Sequence, residues 1–312
     1  MLTILNHQGQ EMERELLAHW SKPKVVTPPA GTPRWQWPSD IDVLLTTPSG
    51  WEGAPARPVP GFDRLRLVQM DTVGIDRYPE WLLHAPNVAN ARGSNSVPLA
   101  EYVMSAVLGF EKRFVEARIT RREEWRHIPM GQVEDRMIGI AGYGAVGQAI
   151  AHLARAFGMR IAAFKRTSWE QRPKGVLIVD SIGELAEISD HLVLACPLTP
   201  ETRYLVDGRV LASARRGMHL INVARGGLIE ERALLKALND GTVDRASLDV
   251  TEPEPLPSGH PFYTHPKVRL TPHVSWESSA NSGRMRRIVL DNIDALIDGA
   301  QIRNLIDINR GY

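Results

Sequence analysis

Residues 138–147 read Ile-Gly-Ile-Ala-Gly-Tyr-Gly-Ala-Val-Gly, and this stretch decides the fold. An apolar strand pattern leads into glycines spaced Gly-x-Gly-x-x-Gly, and a helical pattern follows. Gly142 permits a tight turn, Gly144 lets a phosphate approach the backbone, and Gly147 allows close packing of helix on strand. The helix N-terminus offers N–H groups and its positive dipole end to an anion. The residues assigned to this pyrophosphate cradle are Gly142, Gly144, Ala145, Val146 and Gly147.

Short apolar runs alternate with helical patterns on both sides of this motif, which is typical of parallel sheets with crossover helices. The later strands are predicted at 137–141, 161–164, 192–195, 219–223, 247–250 and 268–270. The earlier strands are predicted at 2–5, 42–45, 65–70 and 88–89. The sequence therefore predicts an α/β protein. It combines a Rossmann doubly wound parallel sheet, which forms the cofactor domain, with a smaller flavodoxin-like α/β substrate domain.

The length of 312 residues favours two domains, because a single core stops growing at about this size. The pattern changes around Ser96, where Pro98 suits a first helical turn and begins a long apolar stripe. We therefore predict a substrate domain of residues 1–98 with 282–312, and a dinucleotide-binding domain of residues 99–281. The last amphipathic segment is expected to return to the first domain, and the active site is expected in the cleft between the domains.

Composition and charge exclude several functions. The formal net charge is only +1, so the chain lacks the basic stripe that a nucleic acid needs. Basic and acidic residues are interleaved over 111–126, which we interpret as a solvated helical face. No apolar run is long enough to span a membrane, no signal peptide is recognisable, and one cysteine cannot form an internal disulfide. We expect a cytoplasmic protein that binds neither membrane nor nucleic acid, and no metal site is predicted.

The end of the second cofactor-domain strand indicates which nucleotide is bound. An NAD site has an acidic residue here that binds the ribose 2′-hydroxyl. This chain instead has Lys165, Arg166 and Thr167. Because two cations and a hydroxyl suit a 2′-phosphate, the sequence favours NADP over NAD. The alternative is that both cations are solvated loop residues.

Two polar residues after later strands suggest the chemistry. Reduction of a 2-oxo acid needs a cation for the carboxylate, a proton donor for the carbonyl oxygen and a positioned hydride. Arg225 follows a strand at the carboxyl edge, where its fork can bind both oxygens. His273 follows another strand and can exchange a proton near neutral pH. Glu254, bonded to the second ring nitrogen, would favour the protonated ring and orient it.

Several motifs resemble the D-2-hydroxyacid dehydrogenase family, which includes glyoxylate/hydroxypyruvate reductases and D-lactate and D-glycerate dehydrogenases. The likeness spans most of the chain. Its most specific blocks are 221–227 (Ile-Asn-Val-Ala-Arg-Gly-Gly), 248–255 (Leu-Asp-Val-Thr-Glu-Pro-Glu-Pro) and 271–274 (Thr-Pro-His-Val). Weaker blocks are 74–76, 98–101 and 196–202.

The resemblance implies roles for individual residues. It makes Arg225, Glu254 and His273 the catalytic three, although Thr251 stands where the family usually has an aromatic residue. It matches Asp249 to a residue that contacts the nicotinamide amide, with a strand-end cap as the alternative. The other implied cofactor contacts are Cys196, Pro197, Thr202 and Ala224. The implied substrate contacts are Val73, Gly74, Arg225, His273 and Trp276.

The expected activity is hydride transfer from NADPH to glyoxylate, hydroxypyruvate or a related 2-oxo acid, giving the D-2-hydroxy acid. The resemblance implies a homodimer joined through the cofactor domains. Phosphite oxidation uses a similar triad and stays open, as does a non-catalytic NAD(P)-sensing module like the corepressors built on this fold. Formate dehydrogenase is disfavoured, since glutamine is expected there in place of Glu254.

Overall fold

The computed structural model describes residues 1–308, and the chain divides into two compact units. Unit 1 contains Met1–Ser94 and the segment from Ser278 onward, and unit 2 contains Asn95–Glu277. The boundaries predicted from sequence, after 98 and after 281, lie four residues beyond those after 94 and after 277. Residues 309–312 of the predicted substrate domain lie outside the described part.

Unit 1 is built on a five-stranded parallel sheet with the strand order β2-β1-β3-β4-β5. This is a flavodoxin-type order, and its direction reverses between β1 and β3. The strands are β1 (Thr3–Asn6), β2 (Lys24–Val26), β3 (Val43–Thr46), β4 (Leu67–Met70) and β5 (Val88–Ala89). The helices of the unit are α1 (Gln10–Ala18) and α8 (Asn281–Asp298).

Two details of unit 1 differ from the sequence-based expectation. The proline-rich stretch 22–38 predicts a loop but contains the strand β2, since an edge strand of three residues leaves little apolar signal. The helical spacing of Met12, Leu16, Leu17 and Trp20 predicts a single apolar stripe on α1, but this stripe is too wide. Met12 and Leu16 are buried, whereas Leu17 is 62 % and Trp20 63 % exposed. The helix ends at Ala18, so Trp20 lies beyond it.

Unit 2 is built on a seven-stranded parallel sheet with the order β12-β11-β10-β9-β6-β7-β8. Counted within the unit, this order contains the 3-2-1-4-5-6 arrangement of a Rossmann sheet, so the predicted fold class is confirmed. The strands are β6 (Met137–Ala141), β7 (Arg160–Phe164), β8 (Leu177–Ile178), β9 (His191–Leu194), β10 (Met218–Asn222), β11 (Val243–Leu248) and β12 (Val268–Leu270). The helices are α2 (Ser96–Lys112), α3 (Phe114–Ala117), α4 (Ala145–Ala156), α5 (Ile182–Ile188), α6 (Gly208–Ser213) and α7 (Glu231–Asp240).

The stretch 111–126 is not the solvated helical face that its charges suggested. α2 ends at Lys112, and Arg113 takes a left-handed conformation (φ 48°) before the short α3. Glu111 is only 5 % exposed, and its carboxylate lies 3.4 Å from the Arg136 guanidinium. Glu111 and Glu116 pair with cations that are distant in sequence, which interleaved charges do not reveal, whereas Glu124 pairs with the nearby Arg121.

A buried amide ties α8 to the unit 1 sheet. Asn292 is fully buried and donates hydrogen bonds to the Gln69 side chain at 2.7 Å and to the Arg303 carbonyl at 3.1 Å. Its carbonyl accepts the Arg303 N–H at 2.9 Å. Because Gln69 is also fully buried, solvent cannot replace these partners.

We expect Asn292→Ala to lower the free energy of unfolding of unit 1. Each buried group left without a partner costs about 1–3 kcal/mol. Urea unfolding followed by circular dichroism measures the loss, with the exposed Gln301→Ala as the matched control. Equal unfolding midpoints for the two variants would show that the amide network is dispensable.

Candidate active site

The three glycines of the nucleotide motif have three different packing environments. Gly142 has φ 101°, and a Cβ there would lie 2.6 Å from the Ala195 carbonyl oxygen. A Cβ on Gly147 would overlap the carbonyl oxygen of Gly142. By contrast, nothing lies within 4 Å of the Cβ position of Gly144, and α4 begins at Ala145 without a side-chain cap. The residues therefore fit a pyrophosphate, since the space and the N–H donors coincide.

Lys165 and Arg166 follow β7, where the adenosine ribose of a dinucleotide is expected. The Lys165 ammonium lies 4.6 Å from the ring centroid of Trp169. The Arg166 guanidinium lies 2.9 Å from the Glu201 carboxylate. Hydrogen bonds from the Thr199 hydroxyl and charge from Arg166 lower the pKa of Glu201. Sequence reasoning missed this acid because it comes from the turn after β9 and not from the end of β7.

The turn after β9 is closed by its own side chains. The Thr202 hydroxyl accepts the Thr199 N–H and donates to the Pro197 carbonyl, both at 2.7 Å. Burial raises the pKa of the Cys196 thiol to about 11, so this thiol is neutral at physiological pH. The turn is therefore a structural element fixed by its own hydrogen bonds, and its cysteine is not an activated nucleophile.

Arg225 is held in place by a buried asparagine at the end of β10. The Asn222 amide donates to the Arg225 carbonyl at 2.8 Å, and its oxygen accepts the Ala224 N–H at 3.1 Å. A Cβ on the next residue, Gly226, would overlap the backbone of Thr251. The Arg225 turn therefore packs directly against the loop that carries the candidate glutamate.

His273 and Glu254 form the hydrogen-bonded pair that the sequence predicts. His273 Nδ1 lies 2.9 Å from Glu254 Oε2, while Glu254 Oε1 accepts the Thr251 N–H at 3.1 Å. His273 has a left-handed backbone (φ 56°), which a non-glycine residue rarely adopts and which is common at functional sites. Its side chain is 37 % exposed, so the ring is accessible to a ligand.

Asp249 organises the loop that presents His273. This carboxylate is 1 % exposed and accepts the Thr271 hydroxyl at 2.5 Å and the N–H groups of Val274 and Ser275 at 2.9 Å. The Thr271 hydroxyl also bonds Tyr102 of α2 at 2.6 Å. These contacts are those of the strand-end cap that the sequence left open as an alternative. A contact between Asp249 and the nicotinamide stays a prediction.

The other predicted substrate residues fall in different places. The Trp276 indole donates to the His273 carbonyl at 2.8 Å and is 40 % exposed, so it shapes the same loop. Val73 and Gly74 belong to unit 1, in the loop after β4. Their carbonyls accept bonds from Asn90 and Thr72, each at 3.0 Å.

Comparisons with known proteins agree with this geometry. The model of the family "D-isomer specific 2-hydroxyacid dehydrogenase, NAD binding domain" matches residues 104–275. The glyoxylate reductase of Korarchaeum cryptofilum is 33 % identical over 275 residues, which cover 85 % of this chain and 81 % of that protein. The glyoxylate/hydroxypyruvate reductase A of Yersinia enterocolitica is 32 % identical over 224 residues, 70 % of this chain and 69 % of the relative.

Two further comparisons concern size and structure. The D-3-phosphoglycerate dehydrogenase of Bacillus subtilis is 35 % identical over 216 residues, which are 67 % of this chain but only 41 % of that protein. A D-isomer-specific 2-hydroxyacid dehydrogenase from Xanthobacter autotrophicus Py2, solved with NADPH and MES, superimposes with a TM-score of 0.83 at 27 % identity. That match covers 100 % of this chain and 99 % of the other. No helix among residues 1–308 is long and apolar enough to cross a membrane.

We expect Asp249→Asn to loosen the His273 loop, because an amide nitrogen cannot accept the bonds that one carboxylate oxygen receives. Amide hydrogen exchange of a peptide covering 271–277 should become at least about tenfold faster, which corresponds to about 1.4 kcal/mol of local stability. The matched control is Asp244→Asn, an exposed acid on the same strand β11. Unchanged exchange in the Asp249 variant would refute its capping role.

Proposed function

Because the chain belongs to the D-isomer-specific 2-hydroxyacid dehydrogenase family, we propose that it transfers hydride from NADPH to a small 2-oxo acid and forms the D-2-hydroxy acid. Glyoxylate and hydroxypyruvate are the first candidate substrates. The observation that supports this most directly is the His273–Glu254 pair, in a loop packed against the turn that carries Arg225.

The proposed mechanism assigns one task to each side chain. The guanidinium of Arg225 binds the substrate carboxylate and polarises the carbonyl oxygen. NADPH, held by the glycine motif of 142–147 and by Lys165 and Arg166, would supply the hydride for the carbonyl carbon. His273 donates a proton to the carbonyl oxygen, so a hydroxyl forms, and the ring is then reprotonated from water. Glu254 accepts a hydrogen bond from the Nδ1–H of His273, and its negative charge stabilises the imidazolium form that donates the proton.

The preference for NADP over NAD is part of the proposal. Lys165 and Arg166 follow β7, and the ion pair between Arg166 and the Glu201 carboxylate supports an anion site at this position. A 2′-phosphate would displace Glu201, whose side chain is 64 % accessible, from Arg166. The Arg166 guanidinium would then bind the phosphate in a bidentate arrangement, which is stronger than its present ion pair. The Xanthobacter relative was solved with NADPH.

A homodimer is also proposed, through the segment between α2 and β6. This segment exposes large apolar side chains, a pattern typical of protein interfaces. They are Phe114 (65 % exposed), Val115 (70 %), Trp125 (81 %) and Met130 (54 %). A second copy of unit 2 is the occupant that would cover them.

We expect His273→Ala to lower kcat for glyoxylate reduction by about 10²–10⁴, because acid-base catalysis contributes that much. NADPH oxidation followed at saturating substrate measures it. His152→Ala, which removes an exposed histidine of α4, should keep kcat within twofold of the unsubstituted chain. A His273 variant within tenfold would refute the proton-donor role. NADPH binding without turnover of any 2-oxo acid would favour a sensor.

We expect the double variant Lys165→Asp and Arg166→Ala to reverse the cofactor preference. Each charge-assisted bond to a 2′-phosphate contributes about 1.5–3 kcal/mol, so kcat/KM for NADPH relative to NADH should fall by about 10² or more. The control pair Arg172→Ala and Lys174→Asp, both exposed in the following loop, should leave this ratio unchanged. A ratio unaffected by the first pair would contradict the phosphate site.

A further inference from the structure

The carboxyl edge of the unit 1 sheet carries buried polar atoms that lack partners. His7 follows β1 and is 6 % exposed, and Asp71 follows β4. His7 Nδ1 and Asp71 Oδ1 are both buried, and neither has a hydrogen-bond partner within residues 1–308. The strand order reverses beside β1, and at such a reversal α/β sheets bind ligands. Buried polar atoms without partners are rare and need an explanation.

Arg34 supplies a cation to the same edge. Its Nε donates to the Ser49 carbonyl at 3.2 Å, and its side chain lies against Gly50, where a Cβ would be 3.1 Å from Cγ and Nε. The stem is therefore fixed by the loop after β3. Within the described part of the chain, the two terminal nitrogens of this half-buried guanidinium form no hydrogen bond or ion pair. The charge of Arg34 nevertheless reaches both His7 and Asp71.

The electrostatics of the three residues favour an anion. Burial, followed by the charge of Arg34, lowers the pKa of His7 to about 3, so its ring is neutral. Burial raises the pKa of Asp71 to about 7, against a backbone hydrogen bond and Arg34, which lower it. Near neutral pH the edge therefore presents one full positive charge, a neutral imidazole and a carboxyl group whose raised pKa favours the protonated form far more than an ordinary aspartate does.

We propose that Arg34, His7 and Asp71 form a tail pocket for a second anionic group, so that the preferred substrate is a 2-oxo acid with a carboxylate or phosphate on its side chain. The inference rests on the proposed function and names its substrate class. The loop with Val73 and Gly74 follows Asp71 directly, and the family resemblance implies that Val73 and Gly74 contact the substrate. Asp71 of the tail pocket is thus two residues from Val73 along the chain.

The tail pocket should depend on pH through Asp71. Below pH 7 its protonated carboxyl group can donate a hydrogen bond to the anionic tail, and above pH 7 the carboxylate repels it. The other titratable groups that interact with this pocket are Arg34, His7, Tyr78 and, through Tyr78, Asp76. Burial raises the pKa of the Tyr78 hydroxyl far above neutrality, so it does not ionise in this range.

The test compares substrates that differ only in the tail. We expect kcat/KM for 2-oxoglutarate or for phosphohydroxypyruvate to exceed that for 2-oxovalerate by at least about tenfold, and the better of the two identifies carboxylate or phosphate. Arg34→Met should lower this ratio about 10- to 100-fold, the value of one charged hydrogen bond. Arg57→Met, in an exposed loop of unit 1, should leave it unchanged. A ratio near one, or one insensitive to Arg34, overturns the proposal.

Two further readouts separate this inference from the proposed function. The ratio should fall as pH rises through 7 and become flat in Asp71→Asn, whereas the pH dependence of the proton donor cancels because both substrates need it. Binding can be followed without turnover, since Trp51 donates hydrogen bonds to Thr46 and Thr47 at this edge. Glutarate should quench tryptophan fluorescence at lower concentration than valerate. Equal quenching overturns the tail pocket, whereas glutarate-selective quenching without any 2-oxo acid turnover overturns only the reductase.

Discussion

The parallel register of β10, β11 and β12 is the constraint on which the candidate active site depends. Asn222 pairs with Leu248, and Leu248 pairs with Leu270, so the three strands end at one level. The ladder continues beyond the strands, because the Asp249 N–H donates to Asn222 and the His273 N–H donates to Asp249. Arg225, Glu254 and His273 therefore lie at one edge of the sheet, although they belong to segments that are far apart in sequence.

Two buried polar side chains, Asn222 and Asp249, stabilise the loops at this edge of the sheet. Asn222 and Asp249 are almost fully buried, yet each is saturated by bonds to the loop that it orders. Such groups stabilise one loop conformation, since an alternative conformation would leave them unpaired at about 1–3 kcal/mol each. The groups assigned to the chemistry, by contrast, stay partly exposed. His273 is 37 % accessible and Glu254 27 % accessible. Rigid buried supports with accessible reactive groups are what preorganised catalysis requires.

Apolar periodicity predicted the central strands, and motif spacing predicted the residues of the candidate active site. The central strand β6 was located to the residue because both of its faces are buried and its run is apolar throughout. The edge strands β2 and β8 were missed, since two or three half-exposed residues carry no such signal. Arg225, Glu254 and His273 lie in recognisable motifs. Single residues brought together only by folding, such as Glu201 beside Arg166, have no spacing that could reveal them.

Asp249 and Asp71 differ in how far the fold satisfies their carboxyl groups. Asp249 has three donors to its carboxylate, whereas Asp71 retains a buried oxygen without a partner among residues 1–308. Because folding raises the pKa of Asp71 from 3.8 to about 7, the folded state loses stability as pH rises between these values. The free energy of unfolding falls by roughly 4 kcal/mol when Asp71 is fully ionised, because each pKa unit corresponds to about 1.36 kcal/mol. Asparagine would avoid it at the same volume. A carboxyl group kept where it destabilises the fold is best explained by a ligand that uses its proton.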